Sequence, residues 1–133
     1  LAGKPWLEGA AALRQRGLVD AGTEAAVQRI WLFGQLIANT DMHDGNLAFR
    51  PGLSLAPVYD MLPMAYAPMR GVELPERDFV PRLPLPAQRE AWQCAAQAAE
   101  HFWALASGDG RISAAFRAIC ASNAEKVRQA LLA

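Results

Sequence analysis

The stretch between Asn39 and Asp60 contains the side chains best suited to chemistry. Asp41 and Asn46 are separated by four residues and follow a long apolar segment, and Asp60 follows two short apolar runs. If those runs pair as a hairpin, the chain returns Asp60 to the loop that carries Asp41 and Asn46. Their oxygen atoms are hard ligands, with no Cys and only one His beside them, which suits Mg²⁺ better than Zn²⁺. The sequence therefore predicts a cluster of oxygen ligands on a loop anchored at both ends by core elements.

This spacing resembles that of the protein-kinase superfamily. There a catalytic Asp is followed after four residues by a metal-binding Asn and, about a dozen residues later, by a second metal-binding Asp. The segments L-I-A-N-T-D-M-H-D-G-N-L-A-F and L-A-P-V-Y-D-M-L-P-M are similar to the HipA family of bacterial serine/threonine kinases, which are the toxins of toxin–antitoxin pairs. The resemblance covers Trp31 to about Pro68. Any one of these Asp or Asn residues alone would be interpreted as a turn or cap residue, but all three at this spacing favour a functional site.

The resemblance implies a role for each residue. Asp41 is the catalytic Asp that orients the acceptor hydroxyl or accepts its proton, and Asn46 and Asp60 hold Mg²⁺ against the phosphates of ATP. His43 lies two residues after Asp41, where ordinary protein kinases usually have Lys. We include it among the catalytic candidates as a contact to the transferring phosphate, and leave open the alternative that it only contacts the loop backbone.

The motif also departs from that of ordinary protein kinases. Asn39 and Thr40 occupy the positions of the usual His and Arg, so activation through an Arg that contacts a phosphorylated loop is not expected. The third motif is Tyr59-Asp60-Met61 instead of Asp-Phe-Gly, as the resemblance to HipA implies.

The parts that bind nucleotide are missing from the sequence. There is no Gly-rich phosphate loop, and the two lysines, Lys4 and Lys126, do not lie in strand patterns. No ATP-binding residue is therefore assigned, and the N-terminal nucleotide-gripping lobe is expected to be absent from this chain, which begins with Leu1 and not Met. We predict that residues 1–133 form a single domain equivalent to a protein-kinase-like C-terminal helical lobe, inactive alone, with apolar surface exposed beside the site or on the first helix.

The periodicity of apolar residues predicts a mainly α fold with one small β-hairpin. The second helix is expected to be buried on most sides, and Asn123 to mark a small break in the fourth. The hairpin is expected from residues 47–49 and 53–56 around Pro51-Gly52, and a long Pro-rich loop from Met61 to Pro86. The four predicted helices run from about Pro5 to Arg16, from Thr23 as N-cap to about Ala38, from Pro86 to near Gly108, and onward from Ser113 as N-cap.

Composition narrows the function further. The 133 residues are 53% apolar and carry 13 basic and 13 acidic side chains, so the net charge is zero. Such a chain can bury a core but lacks the positive field needed for nucleic acid, and no apolar run is long enough to span a membrane. Two unspaced cysteines indicate neither a disulfide scaffold nor a zinc site and fit a reducing cytoplasm.

These observations lead to one main hypothesis and two alternatives. The main hypothesis is the catalytic lobe of a HipA-like kinase that transfers the γ-phosphoryl group of ATP to a Ser or Thr hydroxyl of a protein, with Mg²⁺ as cofactor and an antitoxin as partner. The first alternative is a small-molecule phosphotransferase, since antibiotic phosphotransferases share the Asp-x-His-x-x-Asn wording. The second is a non-catalytic module that binds a partner protein.

Overall fold

The fold is mainly α, as predicted, and the helices pack in chain order. The computed structural model describes residues 4–133. Helix α2 lies between α1 and α3, and α4 packs on α3. The four helices are α1 (Lys4–Gln15), α2 (Ala21–Leu36), α3 (Arg89–Ser107) and α4 (Ala114–Leu132).

The helix ends follow from their capping residues. Ser113 caps α4 as predicted, since its side chain accepts a hydrogen bond from the Phe116 N–H. The prediction that Thr23 caps the second helix is wrong. Asp20 is the N-cap, its carboxylate accepts from the Thr23 N–H at 2.8 Å, and α2 begins at Ala21. Both residue types suit an N-cap, and the chain uses the earlier one.

Helix α2, which leads into the site, is buried on two sides. One apolar cluster lies between α1 and α2 and includes Trp6, Val27, Trp31 and Met42. The larger cluster packs the other side of α2 against α3 and α4 around Trp103, which is fully buried. The predicted burial of this helix is therefore present, and it gives the loop after α2 a firm base.

Helix α4 runs through Asn123 without interruption, so the expected break is wrong. Asn123 is 2% exposed, and its Nδ2 donates a hydrogen bond to the Tyr66 hydroxyl at 3.0 Å. A buried amide with a hydrogen-bond partner costs little free energy, so Asn123 does not interrupt the helix.

The predicted β-hairpin is not seen. Between residues 47 and 56 the chain forms an isolated antiparallel bridge between Phe49 and Leu55, next to an Arg50 N–H to Ser54 carbonyl bond of 2.7 Å. The runs are short and no further strand lies beside them within residues 4–133, so no ladder is built. The turn still returns the chain toward the loop after α2.

The segment from Met61 to Leu85 has little regular structure, apart from a 3₁₀ turn at Met64–Tyr66 and an isolated antiparallel bridge between Met69 and Val72. Tyr66 and Phe79 are buried in the larger cluster, and the Trp92 indole N–H donates to the Arg82 carbonyl at 2.7 Å. These anchors order a long loop over the core. No helix within residues 4–133 combines the length and apolar character needed to cross a bilayer.

Candidate active site

The loop that carries the predicted site begins with a sharp reversal at the end of α2. The Asn39 N–H donates to the Gly34 carbonyl at 2.9 Å and the Ala38 N–H to the Gln35 carbonyl at 3.2 Å. Ala38 has a positive φ of 60°. This is the Schellman pattern, with Ala in the position that Gly usually takes. It turns the chain so that Asn39 is buried while Asp41 is exposed.

The side chain of Asn39 contacts both segments that carry predicted site residues. Its Oδ1 accepts a hydrogen bond from the Asp41 N–H at 3.0 Å. Its Nδ2 donates to the Asp60 carbonyl at 3.5 Å and to the Met61 sulfur at 3.3 Å. The backbones of Asp41 and Asp60 are therefore brought within the reach of one amide group.

Asn46 closes the loop back on its own beginning. It is 7% exposed, and its Nδ2 donates to the Asp41 carbonyl at 3.0 Å. Its backbone N–H donates to the His43 carbonyl across the 3₁₀ turn Asp44–Asn46. Its Oδ1 has no hydrogen-bond partner among the described residues, so this oxygen is available to a cation.

His43 is exposed and contacts the loop backbone. Its Nδ1 accepts from the Gly45 N–H at 3.1 Å, so in the neutral ring the proton is on Nε2. The His43 carbonyl accepts from the Trp6 indole N–H of α1 at 2.7 Å. The contact of His43 with the loop backbone, one of the two alternatives from the sequence, is thus present. Within residues 4–133 the Nε2–H group has no hydrogen-bond partner, so it could donate to a ligand.

Asp60 lies in a second segment that contacts the same loop. The Tyr59 hydroxyl donates to the Gly45 carbonyl, and Asp60 itself has a positive φ of 53°. The Asp41 and Asp60 side chains are exposed, and neither carboxylate makes a hydrogen bond or ion pair within residues 4–133. Carboxylate and amide oxygens are donor types that suit Mg²⁺, so the chemistry of these three residues fits this ion. The described residues contain no group of three or more His, Cys, Asp or Glu side chains that could hold a metal ion. The proposed ligands Asp41, Asn46 and Asp60 include only two side chains of those types, so they would not make up such a group.

Apolar surface is exposed beside Asp60. Val58, Tyr59 and Leu62 are 36%, 42% and 53% exposed. A cleft of about 350 Å³ opens next to them between α2 and α3. It is lined by Arg29, Ile30, Phe33, Val58, Met61, Cys94, Ala95 and Ala98.

Three residues at this site were missed by sequence reasoning. In the sequence, Asn39 stands out only as a departure from the usual His, and Tyr59 and Trp6 show no sign of a role. Their polar groups all bind backbone atoms of the two site segments. The available signal is a polar or aromatic side chain within two residues of a predicted site residue, which holds for Asn39 and Tyr59 but not for the distant Trp6.

Comparisons with known proteins agree with the motif. A family model described as the HipA-like C-terminal domain matches residues 7–131. Toxin YjjJ of Escherichia coli (strain K12) is 42% identical over 127 residues, which cover 93% of this chain. The chain spans 29% of the length of that relative, and no solved structure matches. The resemblance found in the sequence is therefore confirmed: this chain belongs to the family of HipA-like C-terminal domains.

Proposed function

We propose that this chain is the catalytic, protein-kinase-like helical lobe of a HipA-like serine/threonine kinase that acts as the toxin of a toxin–antitoxin pair. The observation that carries the proposal is the pair of exposed, unpartnered carboxylates of Asp41 and Asp60, which come from separate segments whose backbones meet at Asn39. Family membership and the relative named as a toxin support it.

In this proposal each residue has a chemical role. The Asp41 carboxylate orients the acceptor hydroxyl and receives its proton as the phosphoryl group is transferred. Asn46 Oδ1 and the Asp60 carboxylate would hold Mg²⁺, which neutralises charge on the phosphate oxygens when bound. His43 would offer its Nε2–H to an oxygen of the transferring phosphate, while its Nδ1 stays bound to the Gly45 N–H.

The ATP phosphates would be gripped by groups that these 133 residues do not contain. The sequence has no Gly-rich loop and no strand lysine, and both recur in kinases because they position the phosphates. We therefore propose that a full-length protein supplies them from outside this chain, with a Ser or Thr of a protein as acceptor and an antitoxin as partner.

A second candidate is a non-catalytic module that binds a partner protein. The apolar cleft of about 350 Å³ beside Asp60 favours it, since apolar clefts of this size are typical of binding sites. The two candidates differ in metal binding. The catalytic lobe would bind a metal ion at a site that requires Asp41 and Asp60, whereas a partner-binding module would have no such site.

Metal binding by this chain tests the proposal. Mn²⁺ is a paramagnetic substitute for Mg²⁺, and we expect it to broaden backbone amide resonances at residues 41–46 and 59–61. Asp60→Asn should weaken this binding by about tenfold or more because a charged ligand is lost, without straining the backbone, since Asn tolerates a positive φ. The matched control is Asp78→Asn, an exposed Asp on the long loop. Broadening elsewhere, or an equal loss in both variants, would contradict the proposed site.

A further inference from the structure

We infer that Asn39 is the positioning residue of this site, because its amide sets the separation between the Asp41 and Asp60 segments. The inference rests on the proposed function, in which the carboxylates of those two residues act together. It assigns to Asn39 a role that neither the motif nor the family membership gives it.

The Asn39 side chain makes hydrogen bonds to both site segments. Both ends of the Asn39 amide are used, with Oδ1 on the Asp41 N–H at 3.0 Å and Nδ2 on the Asp60 carbonyl at 3.5 Å and the Met61 sulfur at 3.3 Å. The oxygen and nitrogen of an amide are fixed relative to each other by its planar geometry. A side chain bound at both ends therefore acts as a spacer between the two backbones.

The Asn39 side chain is also buried. Asn39 is 5% exposed, and a buried amide is unfavourable unless its polar atoms are hydrogen-bonded. The two segments must therefore stay where they satisfy it. The other link between them, from the Tyr59 hydroxyl to the Gly45 carbonyl, is exposed and so constrains them less.

The backbone of Asn39 is attached to the packed end of α2. The Asn39 N–H is bound to the Gly34 carbonyl at the end of α2, which is packed on both sides. The neighbouring Ala38 carbonyl accepts from the Ala65 N–H at 3.0 Å, in the turn that follows Asp60. The distance between the two site segments is therefore fixed relative to the packed core and not relative to a free loop.

The backbone of Asp60 adopts an unusual conformation. A φ of 53° is uncommon for a residue other than Gly, and although Asp and Asn adopt it more readily than most residues, it costs free energy that contacts with neighbouring groups must offset. The carbonyl that Asn39 contacts belongs to this same residue. Asn39 thus helps to hold the conformation that aims the Asp60 side chain.

A second buried Asn provides a matched control. Asn123 is 2% exposed and donates from Nδ2 to the Tyr66 hydroxyl at 3.0 Å, but it has no bond to either site segment. Replacing Asn39 or Asn123 by Ala removes the same side chain from a buried position. A purely structural role predicts the same outcome for both, whereas a positioning role does not.

The experiment measures the Mn²⁺ dissociation constant and the melting temperature of the chain and its variants. We expect Asn39→Ala to weaken Mn²⁺ binding by about tenfold or more, as losing a group that orients metal ligands typically does. Asn123→Ala should lower the melting temperature but leave the dissociation constant within about twofold, since it orients no ligand. If Asn39→Ala fails to fold, Asn39→Leu and Asn123→Leu replace the pair, since Leu fills the buried volume.

The outcomes separate this inference from the proposed function. If Asp60→Asn loses Mn²⁺ and the folded Asn39 variant binds it as the parent does, the inference is overturned and the proposed site stands. If both Asn variants weaken binding equally, Asn39 is only structural and the inference is again overturned. If the parent shows no Mn²⁺ effect at residues 41–46 and 59–61, the proposed function fails, and the inference fails with it.

Discussion

At the scale of single residues, Gly34 shows how closely the two site segments approach α2. A Cβ atom on Gly34 would lie 2.1 Å from the Met42 sulfur and 3.2 Å from the Met61 sulfur. Met42 directly follows Asp41 and Met61 directly follows Asp60. One glycine in the helix thus leaves room for the residues beside both carboxylates.

This close approach makes a stability prediction. Gly34→Ala should lower the free energy of unfolding by about 1 kcal/mol, because overpacking costs about 1–3 kcal/mol and the gain in helix propensity returns about 1 kcal/mol. Gly9→Ala in α1, where nothing lies within 4 Å of the added carbon, should raise it by about 0.5–1 kcal/mol. Urea unfolding of both variants measures this. A stabilisation of equal size in both would show that Met42 and Met61 do not press on α2.

The sequence points to candidate residues for this site but not to the residues whose side chains hold the site segments in place. Asp41, Asn46 and Asp60 could be chosen because their types and spacing carry chemistry. The role of Asn39 depends on the reversal at Ala38, and an Ala with positive φ gives no signal of the kind that Gly would. Side chains that bind distant backbone atoms, such as that of Trp6, leave no local pattern either.

At the scale of elements, the sequence predicts the helices well, but it does not predict the structure of the turn at residues 47–56. Long apolar stripes with Ser, Asp or Pro near their starts fix the helices to within a few residues. The expected hairpin formed only the Phe49–Leu55 bridge, because strand pairing depends on neighbours that a short apolar run does not specify. A paired hairpin is not required to bring the two site segments together, since the side chains of Asn39 and Tyr59 form hydrogen bonds between them.

The N-caps of α2 and α4 give a prediction that depends on pH. The Thr23 backbone N–H donates to the Asp20 carboxylate and holds the pKa of that group below its ordinary value of 3.8. Because the pKa is lower in the folded state, the carboxylate stabilises the protein fully above the ordinary pKa, and this stabilisation is lost as the pH falls through the folded-state value. Asp20→Ala should therefore be destabilising at about pH 7, and its cost should shrink as the pH is lowered through the acid range below 3.8.

Ser113→Ala is the control for this comparison. Ser113 caps α4 through a hydroxyl that accepts from the Phe116 N–H at 3.3 Å, and a hydroxyl does not titrate in this range. Its destabilisation should be similar over the same pH range, measured by urea unfolding. A cost of Asp20→Ala that stays constant with pH would contradict the assignment of its charge to the cap.

At the scale of the whole molecule, the chain spans 29% of the length of its relative, Toxin YjjJ. The missing Gly-rich loop and strand lysine predict, from the sequence, that the nucleotide-gripping lobe lies outside this chain, and this stays a prediction. The apolar side chains of Val58, Tyr59 and Leu62 are exposed beside Asp60. The sequence could not predict the cleft between α2 and α3, because it depends on how the long loop packs against both helices.

The central claim is that Asp41 acts in phosphoryl transfer, and the most direct test is transfer of labelled γ-phosphate from ATP to protein. We expect a full-length protein that carries this chain to be active and its Asp41→Ala variant to lose about 10²–10⁴-fold in rate. The melting temperature should hardly change, since an exposed substitution usually alters stability by about 0.5 kcal/mol or less. Asp78→Ala should keep full activity, and the 133-residue chain alone should show none. Activity of Asp41→Ala within a few-fold of the parent, or loss of activity only through unfolding, would contradict the account.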